Sequence, residues 1–139
     1  VELSTLSCGD HVSKRSALVV RDTRDDCGAV CTVSCTNSAG GLPPISEDCE
    51  QIVNAVTIYS GLISDDFVVS PFSLAQLTFG TCRYFFENLS SDNATYCWSS
   101  FASQASQAGT TCFPPNQPVR SEGDCTSTDG TFIVGYVPL

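Results

Sequence analysis

Hydrophobic residues recur with two different periods along this chain. Between Thr81 and Leu89 they alternate: Cys82, Tyr84 and Phe86 fall on one face, and Arg83, Phe85 and Glu87 on the other. A period of two is that of a strand with one buried face, so residues 78–90 are predicted to form the central strand of a sheet. Residues 74–79 (LAQLTF) supply a neighbouring strand across a tight connection at Gly80. Residues 131–137 repeat the alternation, with Phe132, Val134 and Tyr136 on one face. Residues 29–35 place Cys31, Val33 and Cys35 together, and the β-branched run 17–21 (ALVVR) is a further candidate strand. Pro71 cannot donate to a ladder, which assigns its surroundings to an edge or a bend.

Helical spacing governs two other stretches. In residues 46–60, Cys49, Ile52, Val53, Val56 and Tyr59 share a face; Ser46 can cap the start, and Gly61 is placed to end the helix. Glu47, Asp48 and Glu50 suit the positive end of its macrodipole, a simpler account than a metal site. In residues 91–108, Ala94, Cys97, Trp98, Phe101, Ala105 and Ala108 form one stripe, and Gly109 is expected to stop the helix. Trp98 lies on that stripe, so it is expected in the core and not as a sugar platform. Residues 21–26 (RDTRDD) are expected as a solvated turn, 37–44 as a loop, and 110–130 as a long loop stapled through Cys112 and Cys125.

The resulting order, β-α-β-β-α-β with a possible extra strand, predicts an α+β fold. It is the split β-α-β sandwich, an antiparallel sheet of four or five strands with two helices on one face. The far face of the sheet would then show Phe85, Ile133 and Val137, more apolar surface than solvent requires. Either residues 7–35 cover that face or it is an interface, and Arg83, Phe85, Glu87 and Ile133 are its candidate contact residues.

Composition narrows the compartment. The 139 residues suit a single domain, residues 1–139, with 1–15 expected as a loosely attached N-terminal segment. Nine cysteines (Cys8, Cys27, Cys31, Cys35, Cys49, Cys82, Cys97, Cys112 and Cys125) are far more than a reducing cytosol favours. Their closest spacing is CxxxCxxxC and the single histidine is His11, so disulfides are expected rather than zinc. The pairing stays open, because eight cysteines alone allow roughly 105 connectivities. A net charge of −9 with one lysine cannot replace the counterions of a nucleic acid, and no apolar run is long enough to span a bilayer. The expected setting is secreted and extracellular, with Val1 the first residue of a processed or trimmed chain.

Asn88-Leu89-Ser90 and Asn93-Ala94-Thr95 are both N-glycosylation sequons, expected on an exposed turn where crowding favours occupancy of one. The odd cysteine and the dibasic Lys14-Arg15 suggest proteolytic trimming that would remove Cys8. The bland alternative is two solvated charges. Catalytic signals are weak: Asp10-His11 and Asp65-Asp66 are sequence neighbours and need not face one cleft, and there is no G-x-S-x-G elbow. No catalytic residue, metal or cofactor is assigned.

One local resemblance adds to these readings. SEDCEQI, followed after about thirty residues by TFGTCRYFF, resembles the Ecp2-type (Hce2) secreted fungal effectors, and the preceding SCTNSAGGLPPIS is similar to their Ser/Pro-rich lead. It spans roughly residues 31–89. The resemblance implies that Cys49 pairs with Cys82 and that the fold is the α/β sandwich of the KP4 killer toxins. The Ser/Gln/Ala-rich second helix, the missing terminal cysteine and the acidic charge depart from those patterns. The expected function is a non-catalytic secreted effector-like or toxin-like protein acting on an extracellular protein or glycan, as a monomer or a disulfide-linked or sheet-face dimer. The alternatives are a cell-wall carbohydrate-binding protein and a protease inhibitor presenting AGGLPPIS or CFPPNQPVR.

Overall fold

A computed structural model of the chain describes residues 1–7, 23–36, 45–62, 64–112 and 122–138. In chain order the elements are β1 (Glu2–Ser7), β2 (Thr23–Asp25), β3 (Cys31–Thr36), α1 (Ser46–Leu62), β4 (Asp66–Val69) and β5 (Ser73–Phe79). They are followed by β6 (Cys82–Asn88), β7 (Asn93–Cys97), α2 (Trp98–Cys112), β8 (Glu122–Ser127) and β9 (Phe132–Pro138). Six strands form an antiparallel sheet in the order β1-β5-β6-β9-β8-β3, and a small sheet has the order β2-β7-β4. The fold is α+β and cysteine-rich, held by four disulfides: Cys27–Cys97, Cys31–Cys125, Cys35–Cys112 and Cys49–Cys82.

The strand predicted to be central, β6, lies between β5 and β9. Its Cys82, Tyr84 and Phe86 are all buried, and Val134, Tyr136 and Phe132 of β9 continue the same face. Both helices pack there. α1 is tied to it through Cys49–Cys82 and contributes Ile52 and Val56, while α2 contributes Phe101, stacked on Tyr84 at 6.4 Å. The small sheet closes the same core, with Tyr96 of β7 against Phe86 at 4.4 Å and Phe67 of β4 against Trp98 at 4.3 Å. Offset and edge-on aromatic packing of this kind adds about 0.5–1.5 kcal/mol per pair beyond burial.

Several expectations are corrected. Among the described residues nine strands form two sheets, not four or five in one: β1, β2 and β8 are polar segments that pair, β4 is a short strand before Pro71, and β7 replaces the expected start of a helix. Residues 2–7, expected as loosely attached, pair with β5 over six positions from Glu2↔Thr78 to Ser7↔Ser73. Residues 23–25, expected as a solvated turn, run parallel to β7. Arg24 turns back onto the buried Asp26, which removes the need for water around either charge. Residues 93–97 are a strand and not the start of a helix. Ala94, Tyr96 and Trp98 are buried at a period of two, and Ala94 and Trp98 satisfy the helical stripe equally well. The second helix therefore starts at Trp98 and runs through Gly109 to Cys112, just as the first runs through Gly61 to Leu62.

The polar segment EGDCTS, expected inside a loop, is β8, between β9 and β3. It carries little apolar surface because α2 comes so close. A β-carbon on Gly123 would lie 2.5 Å from the carbonyl oxygen of Ala108 and 2.9 Å from the sulfur of Cys112. Gly123→Ala must push α2 off the sheet, and we expect it to lower stability by about 3 kcal/mol in urea denaturation. A loss below about 1 kcal/mol would show that the helix yields freely.

The tight connection at Gly80 has φ +55°, a backbone that glycine adopts without strain. Asp48 of α1 accepts from Thr81 N at 2.8 Å and from Thr81 Oγ1 at 2.7 Å. Those hydrogen bonds, the backbone one first, hold its carboxyl below the usual range. Asp48 thus clamps the β5–β6 turn in addition to suiting the helix dipole. The expected strand 17–21, the loop 37–44, His11, Lys14-Arg15, Cys8, the Ser46 side chain and most of CFPPNQPVR lie outside the described residues.

Candidate functional site

The strand register places the outward side chains of the six-stranded sheet in straight rows. One row crosses every strand: Ser4, Gln76, Phe85, Gly135, Asp124 and Ser34. The next row runs Leu6, Leu74, Glu87, Ile133, Thr126 and Thr32. The sequence-predicted residues Phe85, Glu87 and Ile133 are thereby neighbours on one surface, with Arg83 beside Phe85 on β6. All four are half-buried. Val137 pairs with Arg83 through the backbone, and its side chain lies outside the described residues.

Phe85 lies over Gly135: a β-carbon there would stand 2.9 Å from the ring's Cζ. The Arg83 guanidinium carbon is 5.8 Å from the ring centroid, a cation–π distance. On the other side of Phe85, Gln76 donates from Nε2 to Ser4 Oγ at 2.9 Å. Gln76 Oε1 and Arg83 Nε are buried, and neither has a hydrogen-bond partner. Burial pushes the Asp124 carboxyl up, against a smaller lowering by Thr126. The face therefore combines a flat ring, a cation, an amide and a carboxyl at fixed spacing on a rigid sheet. It can stack on a planar or ring-shaped group and hydrogen-bond a polar one.

A second polar cluster joins the two sheets. Arg24 pairs with Asp26 through Nε to Oδ1 at 2.9 Å and Nη2 to Oδ2 at 2.8 Å, and it also contacts Ser90 Oγ and Asn88 Oδ1. Asn88 is fully buried. Its Nδ2 donates toward the carbonyls of Val69 (3.1 Å), Ser70 (3.2 Å) and Asp92 (2.7 Å), and its Oδ1 accepts from Ser90 N at 3.0 Å. The expectation that Asn88 lies on an exposed turn is therefore corrected: the amide is bonded on both sides inside the fold. The period of two in Cys82, Tyr84 and Phe86 reaches Asn88 next, so the inward direction was present in the pattern, and the sequon masked it.

A cavity of about 250 Å³ beside this cluster is lined by Asp26, Ala29, Val30, Ser127, Asp129 and Phe132. Its two carboxylates are already engaged. Asp26 binds Arg24, and Asp129 accepts from Thr131 and Ser127, whose hydrogen bonds hold it below the usual range. Among the described residues no group of three or more His, Cys, Asp or Glu could hold a metal ion, and no helix is long and apolar enough to cross a membrane. Trp98 is buried against Tyr59, Phe67 and Phe101.

Sequence reasoning missed Arg24, Asp26, Gln76 and Asp124. Arg24 and Asp26 stand two apart, the spacing that puts side chains on one face of a strand, and that signal was readable once the segment was taken as extended. Gln76 and Asp124 join the site only through register, which no local pattern reveals. Comparison with known proteins finds no family model that matches the chain and no curated protein that matches it.

Proposed function

We propose that this chain is a secreted, non-catalytic interaction protein of effector-like or toxin-like type. In this reading it engages an extracellular host or competitor target through the outer sheet face centred on Phe85. The observation that carries the proposal is the row Gln76–Phe85–Gly135–Asp124 with Arg83 over the ring, a half-buried aromatic flanked by polar side chains. Aromatic and arginine anchors surrounded by polar groups are what binding surfaces concentrate. Four disulfides fit an oxidising compartment, and the engaged carboxylates of the cavity favour a structural over a catalytic role there. The local motif resemblance to Ecp2-type effectors, with Cys49 bonded to Cys82, also supports this reading. We read the helices stacked on one sheet face as the split β-α-β sandwich of that resemblance.

A second reading is a carbohydrate-binding protein of fungal or plant walls, and the Phe85 ring beside Gln76 and Asp124 favours it over any role for the buried Trp98. Purified protein applied to plant leaf tissue and to competitor fungal cultures tests the first reading. We expect a response to the parent chain and a loss of at least about tenfold in potency for Phe85→Ser, the range of a binding hot spot. Equal potency of the two proteins would refute the assigned face. Retention on chitin, glucan or cellulose, abolished by Phe85→Ser, would transfer the face to the second reading.

A further inference from the structure

We propose that Asn93, and not Asn88, carries an N-linked glycan, and that its first sugar covers Val68 on the outer face of the small sheet. The proposal takes from the functional reading only its compartment. Both asparagines stand in sequons, and the fold separates them. Along β7 the burial alternates: Ala94 and Tyr96 are buried, while Asn93, Thr95 and Cys97 face outward and are half-exposed. Beside them lie Thr23 and Asp25 of β2 and Asp66 and Val68 of β4, all exposed.

Val68 is 58% exposed, one of the most solvent-accessible large hydrophobic residues described. It pairs with Thr95, two residues from Asn93 on the same face, so it is the diagonal neighbour of Asn93 at about 7–8 Å. A sugar ring linked to the Asn93 amide spans that distance. The acetamido methyl and the apolar ring face of an N-acetylhexosamine match the isopropyl group below.

Asn88 offers the opposite environment. Its Nδ2 bonds three carbonyls with no exposed surface, so a sugar on that nitrogen would break the bonds and demand room inside the core. In the transfer, the Asn93 carboxamide nitrogen forms a bond to C1 of a lipid-diphosphate-linked oligosaccharide. The C1–oxygen bond to the diphosphate breaks, the lipid diphosphate leaves with the electron pair, and one amide proton is released to a base. No oxidant or reductant is involved. Transfer acts on the emerging chain before it folds, so a chain modified at Asn88 cannot close its fold and is lost from the folded, secreted fraction.

The test is to secrete the full chain from a yeast host, isolate the folded monomeric fraction, and release glycans with a glycoamidase in ¹⁸O-labelled water before peptide mapping. The expected result is ¹⁸O-labelled aspartate at position 93 and unlabelled asparagine at 88. Asn93→Gln should lose the whole glycan mass, remain folded and bind more of a hydrophobic reporter dye. Label at position 88 in folded protein, or an unmodified position 93, overturns the proposal; unchanged dye binding by Asn93→Gln overturns the placement over Val68. Occupancy is read on the secreted protein and potency in the tissue assay, so either result can fail without the other.

Discussion

Asn88→Ala is expected to remove about 3–5 kcal/mol of stability, a large part of the 5–15 kcal/mol a domain of this size has. The side chain is the joint where three segments meet. It donates to the end of β4 at Val69 and Ser70 and to the β6–β7 turn at Asp92, and it accepts from Arg24 of β2 and from Ser90. Alanine removes this donor from the buried Val69 carbonyl and from the part-buried carbonyls of Ser70 and Asp92, and each buried polar group left unpaired costs about 1–3 kcal/mol. Asn88→Asp sharpens the result. It keeps the acceptor oxygen for Ser90 and Arg24, removes the donor, and sets a carboxylate against three carbonyl oxygens. We expect it to be at least as damaging as alanine in urea denaturation. A loss below about 1 kcal/mol for either variant would show that the small sheet does not depend on this joint.

The second large effect concerns the disulfides at β3. Cys31–Cys125 closes a separation of 94 residues, Cys35–Cys112 one of 77, and Cys49–Cys82 one of 33. In the chain-entropy description these constrain the unfolded state by about 4.7, 4.5 and 3.7 kcal/mol respectively. β3 is an edge strand whose ladder partner is β8, so its attachment rests heavily on the first two bridges. The Cys31→Ala/Cys125→Ala double variant is therefore expected to lose about 4–5 kcal/mol, more than the Cys49→Ala/Cys82→Ala pair. The reverse order in matched urea melts would show that local packing at α1, and not loop length, sets the contribution of each bridge.

Much of the inner face of the large sheet was legible because one face of a strand must be dry. Cys82, Tyr84, Phe86, Phe132, Val134 and Tyr136 announce that face by alternation, and all six are buried. The stripe of α1 was equally clear in Ile52 and Val56. Two of the strands that stayed hidden, β8 and β2, depend on partners remote in sequence. β8 reads as a loop because Gly123 and Cys125 make room for α2 and bond β3, so small residues take the place of an apolar run. β2 reads as a solvated turn because its charges satisfy each other only once β7 and Asn88 are beside them. β7 was mistaken for a helix because Ala94 and Trp98 fit both periods; Tyr96, buried between them, decides for the strand.

The outer face divides in the same way. Arg83, Phe85 and Glu87 were readable from one strand, and Ile133 from the next. Gln76 and Asp124, which give the face its hydrogen-bonding groups, reach Phe85 only through the pairings of β5 with β6 and of β8 with β9.

The most direct measurement on this face is Phe85→Ser against the parent chain, with thermal unfolding and potency on the same preparation. The ring rests on a glycine at a half-exposed position, so its removal should cost about 1 kcal/mol and shift Tm by no more than about 4 °C. Potency should fall at least about tenfold. A Tm fall beyond about 10 °C would place Phe85 in the core. Unchanged potency with an intact fold would place the binding surface elsewhere.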